Sequence, residues 1–277
     1  MAKTEKKISL FFCIGYDLSE NHRVFMYQIL ALLLLLCTPI TLSGATLHAF
    51  IAIDSKSDDV KEMSEIDLEK MKKAINTIAK GADFKLNRKI IKGSDLRLKA
   101  FAKWLKEISV EKDDCVFFYF SGHGIGDQSK KSRWPLMCLA KENEFMPLEV
   151  IEKSLDVKNP RLLVLICDSC NNFDKLRKKS SHRGPLVAKS STSSIPESEG
   201  LIKLFRRTKG KIVASGSIPG SPSWAADNGG MFTTAFLIAL QREAMSDAPS
   251  WKHLFRTVPR YLQGSAQVPQ FKLHLNE

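Results

Sequence analysis

Two continuous apolar runs, each followed at once by polar residues, constrain the fold of this chain most strongly. Residues 115–120 read CVFFYF, and residues 161–166 read RLLVLI. Apolar runs of this length without alternation are typical of strands buried on both faces of a parallel sheet. Because ligands of such sheets bind outside the carboxyl ends of the strands, the residues that follow the two runs are the first candidates for chemistry.

The residues that follow are SGHG at 121–124 and CDSC at 167–170. They place His123 and Cys170 at the same end of two strands. An imidazole close to a thiol supplies a nucleophile and a proton-transfer group, the minimum equipment of a cysteine hydrolase. The glycines that flank the histidine allow a sharp turn and close approach of a substrate. The pattern therefore predicts a cysteine hydrolase site at the carboxyl edge of the sheet.

Other interpretations of these residues remain open. A cysteine after an apolar strand is more often a small buried hydrophobe than a nucleophile, and a histidine beside glycine is more often a turn residue. Cys167 and Cys170 also form a C-x-x-C pair, which is compatible with redox chemistry, whereas the lack of a second ligand pair disfavours zinc. We interpret Cys115, Cys138 and Cys167 as packing residues.

With these two motifs the chain resembles the caspase and metacaspase family of cysteine peptidases, and its bacterial metacaspase-type members more than animal caspases. The family's Ser-Gly-His-Gly matches residues 121–124, and its Asp-x-Cys matches residues 168–170. The histidine precedes the cysteine by 47 residues, close to the family's spacing of roughly 50. A further Asp-x-x-x-Met element is matched by Asp59 and Met63. The resemblance covers residues 45–277.

The resemblance implies a role for each residue of the catalytic motifs. Cys170 would be the nucleophile, and His123 would donate a proton to the leaving amine. The backbone N–H groups of Gly124 and Cys170 would form the oxyanion hole. The substrates would be proteins or peptides, and no cofactor is implied beyond the calcium that activates many metacaspases. The acidic ligand cluster for that calcium is not visible after Cys170.

The resemblance also implies an acidic pocket that accepts Arg or Lys before the cleaved bond. Asp168 matches the main pocket residue, and Ser121 and Asp59 match further positions of the pocket. Two departures from the family pattern stand beside this match. Residues 171–173 are Asn-Asn-Phe instead of His-Ser-Gly, and the Gln-Ala-Cys of animal caspases is absent. The alternative to an active peptidase is therefore a weak or inactive caspase-fold interaction protein.

The positive charge of the chain is concentrated in one segment. The formal net charge is +12, and residues 174–211 hold eleven Lys and Arg against three Asp and Glu. This stretch is rich in serine and lacks the interleaved aromatic residues that stack on nucleic-acid bases. Its composition predicts a flexible, solvated linker, and nucleic-acid binding is not expected.

The N-terminal segment carries a dense apolar core, Leu30–Leu36, followed by small residues at 43–45. This pattern is typical of a secretory signal peptide, with translation starting at Met1 or at Met26. The alternatives are a membrane anchor over residues 24–45, although Pro39 interrupts it, and a buried helix. We expect an exported protein that contacts membrane only through this segment.

Alternation of strand and helix patterns then predicts the rest of the chain. The expected fold is an α/β caspase-like three-layer sandwich, with a mostly parallel central sheet and helices on both faces. After the N-terminal segment at 1–45, one domain spans 46–277, with a large part at 46–173, the linker at 174–210 and a small part at 211–277. The sequence does not distinguish a monomer from a dimer. Strands are predicted at 46–54, 84–91, 115–120, 135–140, 162–166 and 211–215, and helices at 62–80, 96–108, 147–155 and 231–242.

Overall fold

The computed structural model describes residues 44–129, 132–173 and 197–276. The strands are β1 (Thr46–Ile53), β2 (Lys85–Lys92), β3 (Cys115–Ser121), β4 (Gly124–Ile125), β5 (Leu136–Cys138), β6 (Phe145–Pro147), β7 (Leu162–Asp168), β8 (Lys209–Ser215), β9 (Ala225–Ala226), β10 (Gly229–Gly230) and β11 (Gln270–Asn276). The helices are α1 (Asp58–Gly81), α2 (Leu98–Glu107), α3 (Leu148–Asp156), α4 (Glu199–Leu201, continuing as a π-helix over Ile202–Arg207), α5 (Met231–Ala244) and α6 (Trp251–Thr257). Short 3₁₀ turns follow β2 and α6.

The central sheet has six strands in the order β2-β1-β3-β7-β8-β11. The first five strands run parallel, and β11 is antiparallel to β8. The register of β3 and β7 pairs Ser121 with Asp168, so both strands end at the same level. The mostly parallel α/β architecture predicted from the sequence is confirmed.

Separate hydrophobic clusters cover the two faces of the sheet. One cluster joins the strands to α1, α5 and α6, and the other joins them to α2 and α3. Along β3, Tyr119 belongs to the first cluster and Phe118 to the second. All seven residues of β3 and of β7 are buried, because helices lie on both sides of these strands. This double burial explains why the two runs are apolar throughout.

The structure differs from the sequence-based expectations mainly in the C-terminal part of the chain. The strand β11 and the helix α6 lie where no element is predicted. The predicted linker ends earlier than residue 210, because residues 199–207 are helical and β8 begins at Lys209. Leu204 and Phe205 of that helical segment are buried in the core.

Two expectations fall outside the described residues. The predicted N-terminal signal or anchor at 1–45 lies outside them except for residues 44 and 45, and the predicted linker at 174–210 lies outside them up to residue 196. None of the helices in the described part of the chain combines the length and apolar character needed to cross a bilayer.

Candidate active site

The ends of β3 and β7 bring the two candidate motifs to one edge of the sheet. The backbone N–H of Gly122 donates to the carbonyl of Asp168 at 3.2 Å, and that of Gly126 donates to Asn172 at 2.8 Å. The segments that carry His123 and Cys170 therefore run side by side. A Cβ on Gly124 would lie 2.6 Å from the carbonyl oxygen of Cys170, so only glycine permits this approach.

The Cys170 thiol faces the loop over residues 216–224, which connects β8 to β9. Its Sγ accepts a hydrogen bond from the Ser223 N–H at 3.3 Å and lies 3.6 Å from the Ser223 carbonyl oxygen. Cys170 is only 4% exposed. Among the described contacts, no hydrogen bond joins Cys170 to His123. The structure thus places the candidate nucleophile under the 216–224 loop.

The His123 imidazole pairs with Asp59 in the first turn of α1. Its Nε2 lies 3.0 Å from Asp59 Oδ1, and the two side chains are 24% and 37% exposed. The resemblance matched Asp59 to the substrate pocket together with Ser121 and Asp168. The structure places the Asp59 carboxylate against the histidine. The other two pocket candidates, Ser121 and Asp168, make their hydrogen bonds to other residues.

The Asp168 carboxylate is fully buried and receives three hydrogen bonds. Oδ1 accepts from Ser223 Oγ at 2.7 Å. Oδ2 accepts from the backbone N–H and the Oγ1 of Thr233 at 2.9 and 2.7 Å. These donors offset the cost of burying the carboxylate away from water. Ser223 is therefore in contact with both the Cys170 sulfur and the Asp168 carboxylate.

A second buried carboxylate, that of Asp67 in α1, lies close to Ser121 and Asp168. Ser121 Oγ donates to Asp67 Oδ2 at 2.8 Å, and the Gly230 N–H donates to Asp67 Oδ1 at 2.9 Å. A Cβ on Gly230 would lie 2.1 Å from Asp168 Oδ2 and 2.9 Å from Asp67 Oδ2. Both carboxylates thus pack directly against Gly230, where no side chain would fit. We call Ser121, Asp67 and Asp168 the acidic pocket.

Lys70 lies one helical turn from Asp67, close to both carboxylates of the acidic pocket. Its ammonium group donates to the carbonyl of Asn228 and, at 3.1 Å, to Thr234 Oγ1. Burial lowers the pKa of Lys70, while the negative charges of Asp67 and Asp168 oppose that shift. The acidic pocket therefore has a cationic side chain of the protein as a neighbour.

Sequence reasoning missed Asp67, Ser223 and Gln267. Gln267 Nε2 donates to Ser223 Oγ and to the Gly216 carbonyl at 2.8 Å each, and so fixes the 216–224 loop. Asp67 did carry a signal, because it interrupts the apolar stripe of α1 midway between Met63 and Met71. Ser223 and Gln267 lie in loops and carried no comparable signal.

The other described cysteines do not share the position of Cys170. Cys115, Cys138, Cys167 and Cys170 are all free thiols, so the C-x-x-C pair is not closed by a disulfide. Burial raises the pKa of the Cys115 and Cys138 thiols to about 12. A thiol with such a pKa is a poor nucleophile at neutral pH, which agrees with a packing role for both.

Among residues 44–129, 132–173 and 197–276, no three His, Cys, Asp or Glu side chains converge in the manner of metal ligands.

Comparison with known proteins identifies the family. A family model described as the caspase domain matches residues 50–277. The chain belongs to the caspase-domain family. A search of curated proteins gave no match to the chain.

Solved structures show the same caspase-like fold. Caspase-1 from Spodoptera frugiperda is similar with 14% identity over 83% of this chain and 86% of that chain, at a TM-score of 0.51. A protein from Geobacter sulfurreducens is similar with 16% identity over 82% of this chain and 92% of that chain, at a TM-score of 0.53. The predicted family is confirmed, and the fold of this caspase domain is that of a cysteine peptidase.

Proposed function

We propose that this caspase-domain protein is a cysteine endopeptidase that cleaves after Arg or Lys. The main supporting observation is the position of Ser223, which contacts the Cys170 sulfur through its backbone and the Asp168 carboxylate through its hydroxyl. A reactive group and a buried carboxylate thus border the same loop. The substrate residue before the cleaved bond supplies the carbonyl carbon that Cys170 attacks. With this carbon at Cys170, the side chain of the same residue would point towards Asp168.

The chemistry follows from the two motif residues. The Cys170 thiolate attacks the scissile carbonyl carbon, and the N–H groups of Gly124 and Cys170 stabilise the oxyanion that forms. As the C–N bond breaks, His123 gives a proton to the leaving amine. Water then attacks the thioester, which releases the new carboxylic acid and returns the thiol. Catalytic hydrogen bonds are often long before substrate binds, so the separate contacts of His123 and Cys170 are compatible with these roles.

The acidic pocket supports a basic residue before the cleaved bond. A guanidinium or ammonium group forms charge-assisted hydrogen bonds with a carboxylate, and the arginine pair can be bidentate. In the proposed complex this group takes the place of the Ser223 hydroxyl at Asp168 Oδ1. Asp67 adds a second negative charge next to Asp168, since both carboxylates pack against Gly230. Because two carboxylates outnumber the single Lys70 ammonium group beside them, an aspartate side chain would be repelled there.

Active-site labelling tests the proposal directly. Wild-type protein should form a covalent adduct with a peptidyl electrophile that ends in Arg, and should hydrolyse the matching reporter peptide. Cys170→Ala should do neither. Cys167→Ala is the matched control, since this buried thiol lies three residues earlier on β7, and it should be labelled as wild type is. Labelling of Cys170→Ala would show that another residue is the nucleophile, and no labelling of folded wild type would favour an inactive interaction module.

The same reporter measures specificity. Asp168→Asn should lower kcat/KM for Arg peptides about 100-fold, because removing one partner of a buried charge pair costs about 3 kcal/mol or more. The thermal unfolding midpoint of the variant shows whether it is folded. A wild-type preference for peptides that end in Asp would refute the acidic pocket as the specificity site.

A further inference from the structure

We propose that Asp59 is a positioning residue for His123, so that the site works as a Cys-His-Asp triad. This inference rests on the peptidase function proposed above. It starts from the 3.0 Å contact between His123 Nε2 and Asp59 Oδ1. An ionised carboxylate only accepts hydrogen bonds, so the imidazole nitrogen in this contact carries the proton. In the neutral ring, Nδ1 is then the acceptor that is left for proton exchange with the thiol and the leaving amine.

The protein holds Asp59 in place through the loop that precedes it. The Asp54 N–H donates to the carbonyl of Ser121 at 2.9 Å, two residues before the histidine. Asp54 Oδ1 in turn accepts from the Ser57 N–H at 3.2 Å, directly before α1. The start of α1 is thus tied to the end of β3, which carries His123.

A second tie acts from the other side of the histidine. Lys56 Nζ donates to the Ala140 carbonyl at 2.9 Å. Two residues before Ala140, the Cys138 N–H donates to the carbonyl of His123 at 2.9 Å. Together with the Asp54 contacts, these hydrogen bonds hold the start of α1 close to the segment that carries His123. The Asp59 carboxylate therefore reaches the imidazole without rearrangement.

Neither helix stabilisation nor ion pairing accounts for the contact between Asp59 and the imidazole. An acidic residue in the first turn of a helix stabilises the helix dipole, but Asp58 already lies in that turn. Exposed ion pairs add little to stability, and both side chains of this pair are partly exposed. What Asp59 supplies and Asp58 does not is a contact that fixes the ring orientation and stabilises the imidazolium once the ring takes the thiol proton.

The test compares Asp59→Asn with Asp58→Asn, which removes the same charge one residue earlier in the exposed first turn. On an Arg reporter peptide, Asp59→Asn should lower kcat about 10- to 100-fold, part of the roughly 100- to 10,000-fold that a positioned acid–base group contributes. KM should stay within about twofold, because a positioning residue acts on the orientation of the imidazole and not on substrate binding. Asp58→Asn should match wild type, and Asp59→Glu should recover part of kcat.

A second readout does not depend on peptidase activity. Nitrogen-15 NMR of the His123 ring should show the proton on Nε2 in wild type and a mixture of tautomers in Asp59→Asn, with unchanged thermal unfolding midpoints. Wild type that hydrolyses no peptide would overturn the proposed function, whereas the NMR result would still decide the pairing. An Asp59→Asn variant of an active enzyme with wild-type kcat, or a wild-type proton on Nδ1, would overturn the positioning role.

Discussion

Two buried carboxylates show how this protein stabilises charge in its interior. Asp168, at the carboxyl end of β7, receives three hydrogen bonds from Ser223 and Thr233. Asp114, at the opposite end of the sheet, accepts from the Thr46 N–H at 2.6 Å and the Glu111 N–H at 2.9 Å. The first carboxylate borders the candidate site, while the second joins the starts of β1 and β3. Hydrogen bonds to a buried carboxylate thus support the proposed specificity at Asp168 and the stability of the sheet at Asp114.

Asp114 gives a prediction about the pH dependence of stability. Burial opposes its ionisation, but the hydrogen bonds from Glu111, Thr46 and His48 lower its pKa below the usual 3.8. A lowered folded-state pKa contributes stability above pH 3.8, which is lost as the pH falls through the folded value. Asp114→Asn should therefore cost about 1–3 kcal/mol in the free energy of unfolding at pH 7.

Urea unfolding at about pH 7 and about pH 3 measures this effect, since the two values lie on either side of the usual aspartate pKa. The difference between wild type and Asp114→Asn should shrink at the lower pH. Asp113→Asn, at the exposed neighbouring residue, should match wild type at both. A difference that is the same at both pH values would show that the carboxylate charge of Asp114 is not responsible.

At the scale of elements, strands and helices with a strong local pattern were predictable. The apolar runs at β3 and β7 and the periodic face of α1 locate these elements within a few residues. β11 was missed because its apolar face is only half-buried and its alternation over FKLHL spans just five residues. The short strands β9 and β10 have two residues each, too few to show a period.

The site was predictable to the extent that its residues are adjacent in sequence. His123 and Cys170 lie in contiguous motifs at strand ends, so the topology alone brings them to one edge. Asp67, Ser223 and Gln267 reach the site from α1 and two loops. The Gln267–Ser223 and Gly230–Asp67 hydrogen bonds there join residues 44 and 163 positions apart in the sequence. Local spacing contains no information on such contacts, which depend on how the elements pack.

The helix α2 gives a prediction at this scale. Its Phe101 is fully buried and packs with ring centroids 5.5 Å from Phe50 of β1 and 6.3 Å from Phe118 of β3. Phe101→Ala should cost about 3–5 kcal/mol in the free energy of unfolding, through lost burial and a cavity. Leu98→Ala, three residues earlier and 38% exposed, should cost far less. Equal losses in urea unfolding would show that α2 is not anchored through Phe101.

For the whole molecule, the sheet order places strands from distant parts of the chain next to each other. β7 ends at Asp168 and β8 begins at Lys209, yet the two strands pair in parallel from Leu162–Gly210 to Cys167–Ser215. The chain between them contains nine Lys and Arg against three Asp and Glu. Sites of the kind that the proposed peptidase cleaves are thus connected directly to its own nucleophile.

Self-cleavage within residues 174–196 is therefore expected if the enzyme is active on basic residues. Purified wild type should slowly split into two fragments on a denaturing gel, because basic, serine-rich segments are preferred sites of nicking. The fragments should still elute together in gel filtration, since β7 and β8 are paired over six residues and their shared core is buried. Cys170→Ala should stay whole, and Cys167→Ala should be cut as wild type is. Cleavage of Cys170→Ala at the wild-type rate would show that a contaminating protease acts, and separate elution of the fragments would show that the β7–β8 pairing does not hold the two parts together.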